Sequence, residues 1–393
     1  MNNVLVNIPD LSKEHGGVYQ YSVALLKILA KGNLPYHFFI LCNNPNQDIK
    51  EIVKQNSNFN FTKTQLPIYS RFTLLKFRIL NKVYRKLGLK KRCRTKDLYD
   101  CIISDYDINI IHTPTQTIIN KPNVKSITTL HDVQELHFPE FFTSNERAYR
   151  AVNYKKAIDG ADAVIVSYDH VKKDIEKYFD KSKNQIHTVL LDMQDLWFSK
   201  ILNRNNNVLN KYNLPSSFLL YPASSWEHKN HLNLLKAIKL LNNPEIYLIC
   251  TGHQTIHYTK QIEPLILELG LSEKVKFIGI VSDEELFELY HTCRAVVVPT
   301  LYEAGSFPLM ESILMGIPVV CSNVTSLPET IGDNRFVFDP INIAAIADKI
   351  NKIYFDDIFR KENKALLKIQ SLKLNNNNAA FKINKIYEEI LSI

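Results

Sequence analysis

Apolar residues in this chain fall into short β-branched runs, alternating with stretches where they recur every three or four positions. The runs 4–8, 37–42, 109–112, 126–130 and 163–167 read as buried strands of a first half. Between the first two, apolar residues at 18, 21, 25, 28 and 29 predict a helix over 18–30. A polar stretch, 200–213, separates the halves. Six more strand-like runs follow, at 218–221, 246–251, 276–278, 295–299, 318–322 and 336–338, with helical periodicity over 232–241, 259–269, 283–291 and 309–315. Thr143 with Glu146, and Ser282 with Glu285, have the spacing of capping boxes at helix starts. Such alternation argues βαβ units and parallel sheets. The fold class expected is α/β, with two Rossmann-like doubly wound domains facing a central cleft, where ligands meet the carboxyl ends of the strands. The division expected is 1–200, 201–374, and an amphipathic C-terminal segment, 375–393, whose helix over 379–393 packs back on the first domain.

Composition narrows the class. A chain of 393 residues with 45% apolar content can bury two ordinary cores, and nothing in it suggests a fibre or a disordered chain. The longest apolar runs fall far short of the ~20 residues that span a bilayer. The first residues lack the basic and long apolar regions of a signal peptide and read as a first strand. The six cysteines form no CxxC pair, and several sit in apolar runs, which fits free thiols in a reducing cytoplasm.

The net charge of +8 is local: residues 71–96 hold 11 Lys/Arg and no Asp or Glu, and the remainder carries −3. At helical pitch Phe72, Leu75, Ile79, Val83 and Leu87 share a face, flanked by Arg71, Arg78, Lys82, Arg85 and Lys86, while Leu74 and Lys76 break the pattern. A basic amphipathic helix of this kind suits an anionic membrane surface. The plainer reading is a solvated helix whose apolar stripe packs on the first domain. Nucleic acid is not expected, because no aromatic platform or known motif accompanies the patch.

The chemistry concentrates at Glu303-Ala-Gly-Ser-Phe-Pro-Leu-Met-Glu311, between the run 295–299 and the helix at 309–315. Pro308 suits a helix start. A turn opening a helix offers unpaired N–H groups and the positive end of the helix dipole to an anion. Ser306, Phe307, Pro308 and Leu309 form that turn, and two carboxylates bracket it. Carboxylates flanking a phosphate site suit a ligand with hydroxyls on both sides of a diphosphate. Gly316-Ile-Pro-Val-Val320, Ser326-Leu-Pro-Glu329 and Phe338-Asp-Pro340 follow in order.

This ordered run, 295–340, resembles the C-terminal signature of the retaining GT-B glycosyltransferases of family 4, the group 1 transferases. The resemblance implies a transfer of sugar from a nucleoside diphosphate sugar to an acceptor hydroxyl with retention. Tyr221-Pro-Ala-Ser-Ser-Trp-Glu-His-Lys-Asn230 resembles the family's donor-phosphate loop, with Lys229 neutralising the diphosphate. Many relatives carry an arginine where Ser224 stands, so His228 or the helix start at 308–311 is expected to assist. Gly16 and Gly17 match a glycine pair facing donor and acceptor. His131 and Asp132 resemble the family's His-Asp segment. His131 would contact a donor-sugar hydroxyl, and Asp132 would orient His131 or line the acceptor side, with His137 and Glu140 as weaker acceptor-side candidates. Glu303 would hold sugar hydroxyls and Glu311 the ribose.

No side chain is an obvious nucleophile, so the resemblance implies attack from the face of the leaving diphosphate, whose oxygen takes the acceptor proton. Catalytic weight falls on His131, Glu303 and Lys229. No cofactor is implied. Asp105 and Asp107 form a D-x-D of the metal-binding type, but their Ile/Asn-rich surroundings lack the rest of such a site, and catalysis without a protein-bound metal is expected. The partners expected are a nucleoside diphosphate sugar and a glycan or glycolipid acceptor of surface-glycan assembly, at the inner face of the plasma membrane. Two alternatives are a GT-B enzyme acting on a small acceptor or on the nucleotide sugar itself, and a non-catalytic nucleotide-sugar-binding protein.

Overall fold

A computed structural model describes residues 1–11, 17–65, 70–89, 95–192 and 207–392. The expected division at 200/201 lies outside the described residues, as do Gly16 and Lys90, Lys91 and Arg92 of the basic segment.

The first half holds β1 (Asn2–Asn7), β2 (Tyr36–Leu41), β3 (Phe59–Phe61), β4 (Ile108–Thr113), β5 (Lys125–Thr129), β6 (Ala163–Val166) and β7 (Ile186–Thr188). They pair in parallel in the order β3-β2-β1-β4-β5-β6-β7. The second half holds β8 (Leu219–Pro222), β9 (Leu248–Thr251), β10 (Val275–Phe277), β11 (Ala295–Val298), β12 (Val319–Ser322) and β13 (Val337–Phe338), also parallel, in the order β10-β9-β8-β11-β12-β13. Central strands such as β6, Ala-Val-Ile-Val, are buried on both faces, which is why they read as unbroken apolar runs. Both sheets reverse their winding beside their first strand, β1 next to β4 and β8 next to β11. Those switch points are where a doubly wound sheet opens a crevice.

Helices cover both faces of each sheet. Helix Gly17–Lys31 buries Leu25, Leu26 and Leu29 against the first sheet. Helix Ala379–Leu391 lies on the same core, contributing Ile383, Ile386, Tyr387 and Ile390. Each such buried side chain contributes about 1.5–3 kcal/mol. The Tyr387 hydroxyl lies 2.7 Å from His112 Nδ1 on β4. Asp192 accepts from the Asn377 and Ala379 backbone N–H groups at 2.6 and 3.3 Å, tying the end of the first half to the start of that helix. Thr143 and Ser282 do close capping boxes, opening helices Ser144–Gly160 and Asp283–Thr292.

The basic helix runs Arg71–Lys86, with Ser70 as N-cap. Its apolar face does not pack on the first half. Phe72 is 76% exposed, Ile79 56% and Leu87 66%, and Leu75 and Val83 are exposed as well. Among the described residues no element covers the stripe, so the packing half of the solvated-helix reading is not met there. Among the described residues no helix is long and apolar enough to cross a membrane. The described cysteines, Cys42, Cys101, Cys250, Cys293 and Cys321, are free.

Candidate active site

The loops after β1, β5, β6, β8 and β11 converge on a cleft of about 350 Å³ between the two halves. Helix Gly17–Lys31 presents Gly17, Val18, Gln20, Tyr21 and Ala24 to it, one face at helical spacing. From the second half come His228, Lys229, Tyr302, Glu303 and Phe307.

Backbone geometry sets Lys229 against Glu303. After β8 the chain makes a short turn, Glu227–Lys229, closed by Asn230 in the left-handed region at φ 60°. The Asn230 amide donates to the carbonyls of Pro299 and Pro340, both at 2.8 Å. Tyr221 Oη donates to the Lys229 carbonyl at 2.9 Å, and the His228 carbonyl accepts from Leu301 N–H at 2.7 Å and Thr300 Oγ1 at 2.9 Å. The loops after β8 and β11 are thereby locked together. The Lys229 ammonium bonds Glu303 Oε1. The Glu303 backbone carbonyl is held in turn by Thr325 Oγ1 at 2.6 Å. The second carboxylate oxygen, Glu303 Oε2, is buried and has no partner, although the residue is only 8% exposed. A buried carboxylate oxygen left unpaired is costly.

Helix Phe307–Met315 starts behind this pair, with Ser306 as N-cap and the Ser306 hydroxyl buried and unpartnered. Pro308 supplies no N–H, so the donors of this turn are the amides of Phe307 and Leu309. Because the helix begins at Phe307, Glu311 falls in its second turn and not its first. Glu311 is buried, accepts from Tyr290 Oη at 2.7 Å, and is not among the residues lining the cleft. Burial, together with the Glu311 charge, holds the Tyr290 phenol well above its ordinary range, so it stays a donor. Ser306, Pro308 and Leu309 are likewise not among the residues lining this cleft, while Phe307 is.

From the first half, His131 follows β5. Its Nε2 lies 2.9 Å from the Pro114 carbonyl, and Tyr21 meets its ring edge-on at 4.7 Å. A carbonyl only accepts, so Nε2 carries the proton. Burial lowers the His131 pKa, so the ring is neutral and Nδ1 is an acceptor. Asp132 pairs with Arg150 Nη1 at 3.2 Å, not with His131, and Arg150 also holds buried Glu135 at 3.0 Å. Of the two roles open to Asp132, orienting His131 has no hydrogen bond behind it. Gly17 faces Phe307 across the cleft, with Phe307 Cε2 3.7 Å from the position of an added Cβ. His137 pairs with Asp174 at 2.8 Å, away from His131, and Glu140 is exposed.

The structure thus gathers Gly17, His131, Asp132, Lys229, Glu303 and Phe307 into one cleft. His228 is there too: burial and the Lys229 ammonium push its pKa down to about 3, so it enters the cleft as a neutral imidazole. Among the described residues Lys229 is the one lysine or arginine lining the cleft. Asp105 lies elsewhere, paired with Lys63 at 2.8 Å on the surface, and Asp107 caps a helix end. Among the described residues no cluster of three potential metal ligands occurs. Tyr21, Tyr168, Tyr302, Gly305 and Arg150 were not anticipated. Tyr168 lies two residues past the end of β6, in the region where α/β sheets place ligand contacts. Arg150 sits mid-helix, with no signal in the sequence.

Comparison with known proteins agrees with this architecture. The model of the family described as glycosyl transferases group 1 matches residues 206–368. The O-antigen chain mannosyltransferase B of Escherichia coli is 30% identical over 264 residues, covering 66% of this chain and 68% of that protein. The O-antigen chain mannosyltransferase RfbU of Salmonella typhimurium is 22% identical over 344 residues, 86% of this chain and 87% of that one. A glycosyltransferase structure from Rickettsia africae superposes with a TM-score of 0.67 at 20% identity, covering 99% of this chain and 98% of that one. With two parallel sheets flanking a cleft and the start of the motif run, Glu303 to Phe307, at its wall, the chain belongs to the group 1 glycosyltransferases of GT-B fold.

Proposed function

We propose that this protein transfers a hexose, mannose being the first candidate, from a nucleoside diphosphate sugar to a hydroxyl of a growing surface glycan or glycolipid. The anomeric configuration is retained and no protein-bound metal takes part. The observation that carries this reading is Glu303. One carboxylate oxygen is bonded to Lys229 and the other is buried without a partner, at the cleft between the carboxyl ends of two sheets. A sugar hydroxyl satisfies that oxygen, and a diphosphate answers the Lys229 charge. The names of the two curated relatives supply mannose and O-antigen as sugar and setting.

In this mechanism Lys229 and the amides of Phe307 and Leu309 hold the phosphates. Glu303 Oε2 accepts from a sugar hydroxyl, and so does the Nδ1 of His131 from the opposite half. Glu311, steadied by Tyr290, takes the ribose hydroxyls. Gly17 leaves room for the diphosphate and acceptor, and Asp132 lines the acceptor side. The bond from C1 to the phosphate oxygen breaks. The acceptor oxygen bonds C1 on the same face, and its proton passes to the departing phosphate oxygen. Positioning and charge stabilisation carry the rate, and a preorganised donor of this type is typically worth about 3–4 kcal/mol.

The acceptor is brought by a membrane surface. The exposed stripe of helix Arg71–Lys86 inserts among headgroups while its cations face anionic lipid, each worth about 1 kcal/mol. On this reading the enzyme works as a peripheral protein on the inner face of the plasma membrane.

The test is incubation of the full chain with nucleoside diphosphate mannoses and a lipid-linked glycan in EDTA, reading the product's anomeric configuration by NMR. Transfer with retention is expected. Transfer that requires added Mg²⁺, or an inverted product, contradicts the mechanism. Release of free mannose at the same rate with and without acceptor contradicts the transferase reading.

A further inference from the structure

Each half of the molecule sends one tyrosine into the other, and the two insertions flank Glu303. Tyr168, two residues past the end of β6, is 3% exposed. Its ring lies over Gly305, so close that a Cβ on Gly305 would stand 2.7 Å from Cε2 and 3.1 Å from the hydroxyl. The hydroxyl lies 3.3 Å from Met310 Sδ and beside Thr330. The next residue, Asp169, opens helix Asp169–Tyr178 and donates its backbone N–H to the Glu329 carboxylate. In the other direction Tyr302 is 2% exposed and packs against His137 at 5.3 Å and Phe138 at 6.2 Å. Its hydroxyl accepts from Val133 N–H at 3.4 Å, one residue from Asp132.

Gly305 is not among the residues with positive φ, so the backbone does not demand glycine there. What demands it is space: any side chain strikes the Tyr168 ring, which cannot yield as a flexible chain end would. The same contact gives Glu329, at the end of the Ser326-Leu-Pro-Glu329 motif, a place outside the donor chemistry.

We infer that Tyr168 is a positioning residue: its ring, seated in the notch at Gly305, sets the closed register that brings His131 over Glu303 and Lys229. Tyr302 and Glu329 complete the clasp. Tyr168 acts through the loop carrying Glu303 and not on the sugar itself. A misplacement of about 1 Å can cost about a hundredfold in rate.

The experiment uses the full chain with Gly305→Ala, Tyr168→Ala, Tyr168→Phe and the double variant Tyr168→Ala/Gly305→Ala. Amide hydrogen exchange without nucleotide reads the clasp alone. Gly305→Ala and Tyr168→Ala are expected to speed exchange in both 131–138 and 302–310, segments on opposite halves, while the β8–β12 core keeps its protection. The kinetic arm rests on the transferase reading. There kcat falls about a hundredfold in Gly305→Ala, Kd for GDP or UDP is unchanged, and Tyr168→Phe recovers most of what Tyr168→Ala loses. The double variant is no worse than Tyr168→Ala, because the added methyl then meets no ring. Wild-type exchange and turnover in Gly305→Ala, or single losses that multiply in the double variant, overturn the inference. Faster exchange in both segments without any nucleotide binding leaves the clasp standing and removes the transferase reading instead.

Discussion

Breaking the Lys229–Glu303 pair one side at a time gives unequal results. Glu303 is 8% exposed with one oxygen already unpartnered, and Lys229 is 17% exposed at its side chain. Lys229→Met leaves a buried carboxylate facing neutral His228 and His131. Removing one partner of a buried pair costs about 3–5 kcal/mol, and the lower end applies here because the cleft is open to water. Glu303→Gln leaves an ammonium on a flexible stem that can swing to solvent, at a cost of about 1 kcal/mol. The double variant Lys229→Met/Glu303→Gln carries neither charge and should be more stable than Lys229→Met alone, a coupling of about 1–3 kcal/mol. The chain has two tryptophans, and Trp226 stands three residues before Lys229. In a Trp197→Phe background the urea midpoint followed by Trp226 fluorescence reports the second half. Costs that add within about 0.5 kcal/mol would show the two groups to be independent and refute the buried-pair geometry.

Glu303→Ala should leave nucleoside diphosphate binding intact while cutting transfer at least a hundredfold, of the order seen when one preorganised group is removed; equal losses of both would reassign Glu303 to nucleotide binding. Glu311→Ala should weaken nucleotide binding, read by calorimetry, and normal affinity would remove Glu311 from the site. Replacing Arg78, Lys82, Arg85 and Lys86 with Ser should cost about 4 kcal/mol of binding to vesicles of anionic lipid, leaving nucleotide affinity unchanged; undiminished vesicle binding contradicts membrane docking. Burial pushes His112 and His231 down to about 3, with the Lys229 charge adding to the shift for His231. Their protonation favours the unfolded chain, so the stability they lend is present above pH ~6.5 and lost as pH falls from there toward 3. Each contributes a slope of about 1.4 kcal/mol per pH unit in that window. The melting temperature should drop between pH 6.5 and 5, less so in His112→Asn, and a flat profile contradicts their burial in the neutral form.

The strands legible in the sequence were those long and apolar enough to be buried on both faces. β3 (Phe-Asn-Phe) and β7 (Ile-His-Thr) escaped notice because three residues carry no periodicity and each includes a polar one. Helices Ile343–Phe355 and Asp357–Asn375 lay in a stretch whose polar faces masked the pattern. Lys229 and Glu303 were visible as motif residues, but their bond was not, since it depends on Asn230 and His228 tying two loops that lie 74 residues apart. The apolar stripe on the basic helix was legible as periodicity, yet whether it packs or faces solvent is a tertiary matter. The Tyr168–Gly305 contact had no signal at all, because its partners belong to different halves and meet only across the cleft.

The most direct test of the central claim is a thermal melt of the full chain in EDTA against UDP, GDP, ADP, CDP and dTDP, with Mg²⁺ then added back. A ligand at about 100 times its Kd stabilises by about 2.7 kcal/mol, a readily visible shift. One of these diphosphates is expected to raise the melting temperature in EDTA, and Lys229→Met to abolish the rise. A shift that appears only with Mg²⁺, or none with any nucleotide, would contradict that claim.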